Sequence, residues 1–371
     1  MNRQRFLGIA AGGTVALAGG YCLFSDKRNY TRADSEPISP GPVPLTPDER
    51  QILWLASLAP SGHNTQPWFV KNLDPYHWIV GNDKTRWLPG VDPAQRETIL
   101  SIGAFLQNIE YAASSLGYVC QFETLAQSNQ DENVVSVKLT RSGQAPAYDT
   151  QPLISRRTVR SNYLSQPLKK ADLAYLINSE TNFIHSLPNY VREHHWLNEQ
   201  TIEANRIQSY RDVAQRELAD WIRFSSNDAA THRDGLTMAS MEIDGIPAWA
   251  LRNFYGKPAV MKPAFRDQNI DTVRKEVANS AGWLLITSKS NDVATLLETG
   301  KRMQRLFLRV RERGIALHPM TQILEESPTN QTINESIGIS DPVQFILRTG
   351  YLKTYPKPVS LRRSVDWFVR I

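Results

Sequence analysis

The chain has 371 residues, 41% of them hydrophobic and 21% charged, with a formal net charge of +5. That length leads to an expectation of about two domains with ample core, and the balance excludes a chain that is mostly disordered or mostly membrane-embedded. The basic residues are scattered, so the clustered basic face of a nucleic-acid binder is not expected. Cys22 and Cys120 form no CxxC pair, and the seven histidines show no HExxH spacing. Adjacent His194 and His195 cannot share a face, so neither a disulfide framework nor a metal site is expected.

Residues 1–24 read as a signal or anchor. Arg3 and Arg5 precede a charge-free Gly/Ala-rich stretch that runs to Phe24, and Ala16-Leu17-Ala18 fits a cleavage site. Arg3-Gln4-Arg5-Phe6-Leu7 resembles a twin-arginine export signal with Gln4 in place of the second arginine. A cleaved signal and an uncleaved membrane anchor both remain open, since about 18 apolar residues just span a bilayer. Either makes an exported protein, periplasmic or membrane-anchored, the expectation over a cytoplasmic one. Residues 25–45 carry Pro37, Pro40, Pro42 and Pro44 and read as a linker.

Thr46-Pro47-Asp48-Glu49 forms a capping box with proline at the first helical position, so a helix is expected from there to Leu58. Trp68 to Lys71 and Tyr76 to Val80 read as strands joined by a hairpin turn at Asn72 to Pro75. Asp92-Pro93 opens a long helix whose apolar residues Ile99, Ile102, Leu106, Ile109, Ala113 and Leu116 recur at three- and four-residue steps, and Gly117 ends it. Strands are expected near Tyr118 to Thr124 and Val134 to Leu139. A further helix is expected near Lys170 to Asn178. A second long helix starts near Asn291 or Asp292, places Leu296, Met303, Phe307 and Val310 on one face, and ends at Gly314 before a strand at Ile315 to Leu317.

The two long helices repeat each other: Gly103-x3-Gln107-x9-Gly117 matches Gly300-x3-Gln304-x9-Gly314. Each follows an apolar strand containing a tryptophan, Trp78 or Trp283, and leads into a short strand. The pattern predicts an α+β chain of two homologous halves, 46–150 and 151–371, whose central helices pack together. Residues 225–265 break the pattern with Asp234-Gly235, Asp244-Gly245, several prolines and Trp249, Phe254 and Tyr255, and read as an irregular lid-like insertion.

Three segments carry candidate chemistry. In Ala59-Pro60-Ser61-Gly62-His63-Asn64-Thr65-Gln66-Pro67-Trp68, Pro60 and Gly62 break the helix. Ser61, His63, Asn64 and Gln66 therefore sit on a tight loop suited to a flat, polar, hydrogen-bonding ligand. Arg156, Thr158 and Arg160 alternate, and in an extended segment two guanidiniums and a hydroxyl on one side suit phosphate oxygens. Ser360-Leu361-Arg362-Arg363-Ser364 adds two more arginines beside the apolar Val365, Trp367, Phe368 and Val369.

Together these segments resemble the nitroreductase superfamily, and the arrangement within it is similar to the Acg-type flavoproteins, fused pseudo-dimers that hold FMN. The resemblance implies a nitroreductase-like fold of two tandem halves forming an intramolecular pseudo-dimer, with central helices and flanking mixed sheets. It implies FMN as cofactor, with Pro60, Ser61, Gly62, His63, Asn64 and Gln66 on the ring or ribityl side. Arg156, Thr158, Arg160, Arg362 and Arg363 would hold the phosphate, and the backbone at Pro319 and Met320 would approach the ring. Ser360 stands where the family often has lysine. The second half lacks a Ser/Asn/Gln-Pro-Trp loop and the first lacks an RxSxR segment, so one complete FMN site shared between the halves is expected.

The resemblance further implies two-electron transfer from NAD(P)H or another small-molecule donor to a nitro, quinone or similar acceptor. No side chain need act as nucleophile. No GxGxxG follows a strand, so no separate dinucleotide site is expected. The alternative is a protein that binds or sequesters FMN with little turnover, the 225–265 insertion covering the ring.

Overall fold

The computed structural model describes residues 26, 28–34, 41–143 and 147–371. The expected signal or anchor at 1–24 lies outside the described residues. Among the described residues no helix is long and apolar enough to cross a membrane.

In the first half, helix α1 (Pro47–Ser57) is followed by β1 (Trp68–Asp74), β2 (His77–Asn82), α2 (Arg96–Ser115), β3 (Tyr118–Thr124) and β4 (Asn133–Arg141). The capping box at α1 is complete: Thr46 Oγ1 accepts the Glu49 N–H at 3.2 Å and Glu49 accepts the Thr46 N–H at 2.8 Å. Glu49 also accepts from the Tyr76 amide and the Trp78 indole, so one buried carboxylate ties the helix to the β1–β2 turn. Helix α2 begins four residues after Asp92. The Asp92 carboxylate still caps it, accepting the N–H groups of Arg96, Glu97 and Thr98. Gly117 at φ +81° and Gly314 at φ +64° close the two long helices in left-handed turns that glycine adopts without strain.

The second half opens with α3 (Gln151–Ser155), α4 (Lys170–Ile177) and β5 (Ile184–Pro188). A helical block follows: α5 (Arg192–Tyr210), α6 (Asp212–Trp221), β6 (Ile222–Arg223), α7 (Ser226–His232), β7 (Leu236–Thr237), α8 (Gly245–Phe254), α9 (Lys257–Val260) and α10 (Pro263–Ala278). The chain then continues through β8 (Gly282–Thr287), α11 (Val293–Arg309), β9 (Ile315–Pro319), α12 (Gln322–Glu325), α13 (Thr329–Ile337), β10 (Val343–Tyr351), α14 (Val365–Phe368) and β11 (Val369–Arg370).

Sheet order makes the duplication explicit. The first sheet runs β11-β1-β2-β4-β3 and the second β5-β8-β10-β9. Replacing β1, β2, β4 and β3 by β5, β8, β10 and β9 superimposes one order on the other. In each half the long helix joins the second and third of those strands in chain order. Helices α2 and α11 pack on each other between the sheets, and the main apolar core draws on both: Ile102, Phe105 and Ile109 meet Leu296, Met303 and Phe307. The repeat therefore folds as an intramolecular pseudo-dimer. The last strand departs from its half: β11 adds parallel to β1, pairing Val70 with Val369, so the C-terminus is a strap across the first sheet.

Two expectations need correction. Residues 26 and 28–34 are packed against the protein instead of forming a spacer. Asp26 accepts the Ser226 amide and hydroxyl at the start of α7, and Arg32 donates its amide to Val359 O at 3.1 Å. Residues 225–265 are largely helical, with their own apolar cluster of Ile222, Met238, Ala248, Leu251 and Val260. Prolines at the start of α9 and α10 and within the first turns of α8 sit where helices tolerate them, so they punctuate helices without abolishing them.

Candidate active site

The loop after α1 is wound unusually tightly. Pro60 follows the helix end, and Gly62–Asn64 form one turn of 3₁₀ helix. His63, Asn64 and Gln66 have φ of 45°, 56° and 54°. Three left-handed non-glycine residues within four positions cost free energy and persist only where the surroundings hold them. Here the Ser61 hydroxyl accepts the Gln66 amide at 2.9 Å. The Asn64 side-chain amide donates to Gly235 O and Leu361 O, and that of Gln66 donates to Arg233 O.

Below this loop the C-terminal carbonyls of the α1 segment face a cluster of guanidiniums. Arg156 donates to Leu58 O from Nε and Nη2, at 3.3 and 3.2 Å. Arg362 donates to the same carbonyl and to Ala59 O, both at 3.1 Å, and to Asn64 Oδ1 at 2.8 Å. Both arginines are buried, and among the described residues neither has a carboxylate partner. Arg32, which donates to Ile154 O, is the third cation of this cluster. Burial and the mutual repulsion of the three charges push Arg156 down to about 10 and Arg362 well below its ordinary value. Among the described residues Arg156 Nη1 and Arg362 Nε are buried with no hydrogen-bond partner. Two buried guanidiniums with unused donors are costly unless an anion completes them.

The other predicted residues separate from this cluster. Arg160 reaches a second position, donating to Ser240 O at 3.2 Å and contacting His318 Nε2 at 2.7 Å, with Thr158 half-buried between the two arginines. Burial, with the charge of Arg160 added, lowers His63 to about 4, so the imidazole on the loop is neutral at neutral pH. Arg363 is not part of the Arg156–Arg362 cluster. It donates its amide to Gln66 Oε1 and its guanidinium to Gln66 O and Trp68 O, and so braces the loop backbone. Pro319 ends β9, but Met320 is buried in a second apolar core and its amide donates to Ile346 O at 2.9 Å, so that N–H is engaged in the sheet. Arg32 was not foreseen. It lies in a proline-rich stretch without periodicity, and only packing brings it beneath α3.

The helical block supplies the cover. Gly235 donates its amide to Asn64 O at 3.1 Å. Asp234 takes ion pairs from Arg86 at 2.8 Å and Arg223 at 2.6 Å, which fixes the 233–235 turn over the loop. At the matching place in the second half, between α4 and β5, Glu180 accepts from Arg302 at 2.7 Å and Arg305 at 2.5 Å, and Arg309 donates to Leu176 O. That pseudo-equivalent position holds its own carboxylate; among the described residues the Arg156–Arg362 position does not.

No family model matches the chain. It is 23% identical over 336 residues to a Mycobacterium tuberculosis protein named "Putative NAD(P)H nitroreductase acg", covering 85% of this chain and 93% of the relative. It is 21% identical over 312 residues to the Serratia protein named "Probable NAD(P)H nitroreductase PigM", covering 80% and 86%. A solved structure, the FMN-dependent nitroreductase NfnB from Mycobacterium smegmatis, covers 60% of this chain and 96% of its own at 14% identity, with a TM-score of 0.37. Over most of its length, and in its duplicated architecture, this chain is similar to the Acg-type putative nitroreductases, and the likeness supports the nitroreductase superfamily.

Proposed function

We propose that the protein is an FMN-dependent oxidoreductase of nitroreductase type, taking two electrons from NAD(P)H or another small donor and passing them to a nitro, quinone or similar acceptor. The observation that carries this reading is the buried Arg156–Arg362 pair, sharing the Leu58 carbonyl and, among the described residues, lacking a carboxylate. The residues fit the phosphate of FMN: Arg156 Nη1 and Arg362 Nε are donors in need of acceptors, and Arg32 adds a third charge. Each charge-assisted bond to phosphate contributes about 1.5–3 kcal/mol. When bound, the isoalloxazine supplies the hydride chemistry.

The chain's own groups bind and orient. Arg156, Arg362 and Arg32 would neutralise the phosphate, and the strained 61–66 loop would offer a fixed polar surface to the ring side. Arg160 places a cation beside that loop, where negative charge on a reduced ring is stabilised by preorganised positive groups. His63, neutral at neutral pH, adds no charge of its own. NAD(P)H as donor is taken from the names of the relatives, and the acceptor is open within the stated class.

The test is the absorption spectrum of purified protein and of an Arg156→Gln/Arg362→Gln double variant. The reading expects flavin absorbance in the first and its loss in the second at unchanged circular dichroism; full occupancy in the double variant would refute the phosphate assignment. A second reading, FMN retention with little turnover, is favoured by the bonds from Gly235 and to Arg233 that close the loop. Anaerobic mixing with NADH or NADPH separates the two: rapid bleaching supports turnover, and reduction by dithionite alone supports sequestration.

A further inference from the structure

Arg160 is gripped at both ends by one rung of the second sheet. His318 of β9 and Arg348 of β10 are direct cross-strand partners, so their side chains stand on the same face. Arg348 donates to the backbone carbonyl of Arg160 at 2.5 Å, while His318 Nε2 lies 2.7 Å from Arg160 Nη1. Ser240 O takes a third bond from Nε. The geometry settles the tautomer. A guanidinium only donates, so Nε2 carries the lone pair and the proton sits on Nδ1. Among the described residues that Nδ1 is buried without a hydrogen-bond partner, with Glu276 Oε2 at 3.9 Å. Burial and the charges of Arg160 and Arg348 hold the imidazole well below its ordinary range, and so neutral.

An imidazole is an unusual partner for a half-buried arginine. A carboxylate at the same place would align the guanidinium and also cancel its charge; a neutral imidazole aligns it and leaves the charge intact. Glu242, the other nearby acid, directs its carboxylate to Arg157, to Ser161 and to the Arg160 backbone amide. Among the described residues the Arg160 guanidinium has no carboxylate within ion-pair distance. Its field falls on the loop at His63.

We infer that His318 is a positioning residue that holds Arg160 at the cofactor site as an uncompensated cation, and thereby favours the reduced, anionic form of the bound flavin. This rests on the FMN reading above. The experiment is an anaerobic reductive titration of FMN-loaded protein against a reference dye, with bound FMN measured in the same samples. His318→Phe keeps the volume and removes the acceptor. It should retain FMN, held by Arg156 and Arg362, while the ratio of reduced to oxidised flavin at a given dye ratio falls about tenfold, which is about 30 mV for a two-electron couple. His318→Gln, whose Oε1 accepts from Arg160, should stay within twofold of the parent. His318→Glu binds Arg160 more tightly but neutralises it, and should lower the ratio at least as far as the Phe variant, which loss of packing alone does not predict. Arg160→Gln should show the same fall, and adding His318→Phe to it no more. FMN-loaded His318→Phe and His318→Glu variants at the parent ratio would overturn the inference. A parent protein that fails to take up FMN refutes instead the cofactor reading on which it rests.

Discussion

Gly103 of α2 and Gly300 of α11 lie against each other where the two central helices cross: a Cβ built on either stands 3.0 Å from the other's Cα. Each glycine also rests on the carbonyl three residues before its partner, Gly103 on Leu297 O and Gly300 on Leu100 O. Contacts that repeat with the roles exchanged are the mark of a two-fold interface, here within one chain. Farther along the same crossing, Gln304 donates to Asn108 at 2.7 Å and Arg305 to Gln107 at 2.9 Å.

Alanine at either glycine drives a methyl group into a helix backbone that has no room to yield. Gly300→Ala should lower stability by about 2 kcal/mol or more through overpacking. The urea midpoint should drop with the slope unchanged; an unaltered midpoint would show that the helices part easily.

Asp366 secures the C-terminal strap. It accepts two bonds from Arg50 Nη1, at 3.1 and 3.0 Å, and both side chains are largely buried. Asp366→Asn retains the size but leaves Arg50 without its counter-charge, at a cost of about 2 kcal/mol. Because Arg362 and Arg363 lie just before Asp366, FMN retention should weaken as well. Protease sensitivity confined to the last residues, with parent-like FMN binding, would separate the strap from the site.

Glu180 neutralises Arg302 and Arg305 at the pseudo-equivalent of the Arg156–Arg362 cluster. Replacing it with glutamine strands two partly buried cations, a loss of about 3 kcal/mol in a pair of this kind. The parent protein should carry one FMN per chain, read from flavin absorbance after denaturation. Two per chain would contradict the one-site arrangement.

His194 gives stability a pH dependence of known sign. Burial holds its imidazole at about 4, against an ordinary value of 6.5, with Nε2 on Ser280 Oγ. Above pH 6.5 the ring is neutral in both folded and unfolded chains, and it contributes no slope. Between 6.5 and 4 the unfolded chain takes up the proton and the folded one does not, so stability falls as pH falls, by up to about 3 kcal/mol. His194→Gln should flatten that part of the curve of unfolding free energy against pH; an equal slope in the variant would assign it to other groups.

Much of the fold was legible from local signals. The Thr46–Glu49 box, the β1–β2 hairpin, the two long helices and their closing glycines all stand near where spacing and turn chemistry put them. Helices α5 and α10 left little trace, because each buries only scattered positions such as Leu197, Ala204, Val273 and Val277 in otherwise polar stretches. The insertion looked irregular because its prolines and glycines mark helix ends, which sequence alone does not distinguish from loops.

What the sequence by itself determined is the set of elements and the candidate chemistry: periodicity, caps and turns act over a few residues and are written there. What only the tertiary structure decided is which arginines meet. Arg156 and Arg362 reach the same Leu58 carbonyl across 98 and 304 residues of chain. Arg363, next to Arg362, is drawn to the loop backbone instead, and Arg32 arrives from a stretch that read as a linker. Such placement depends on how helices and sheets bury their apolar faces against one another, and a run of charged residues carries no local sign of which neighbour the packing will leave it.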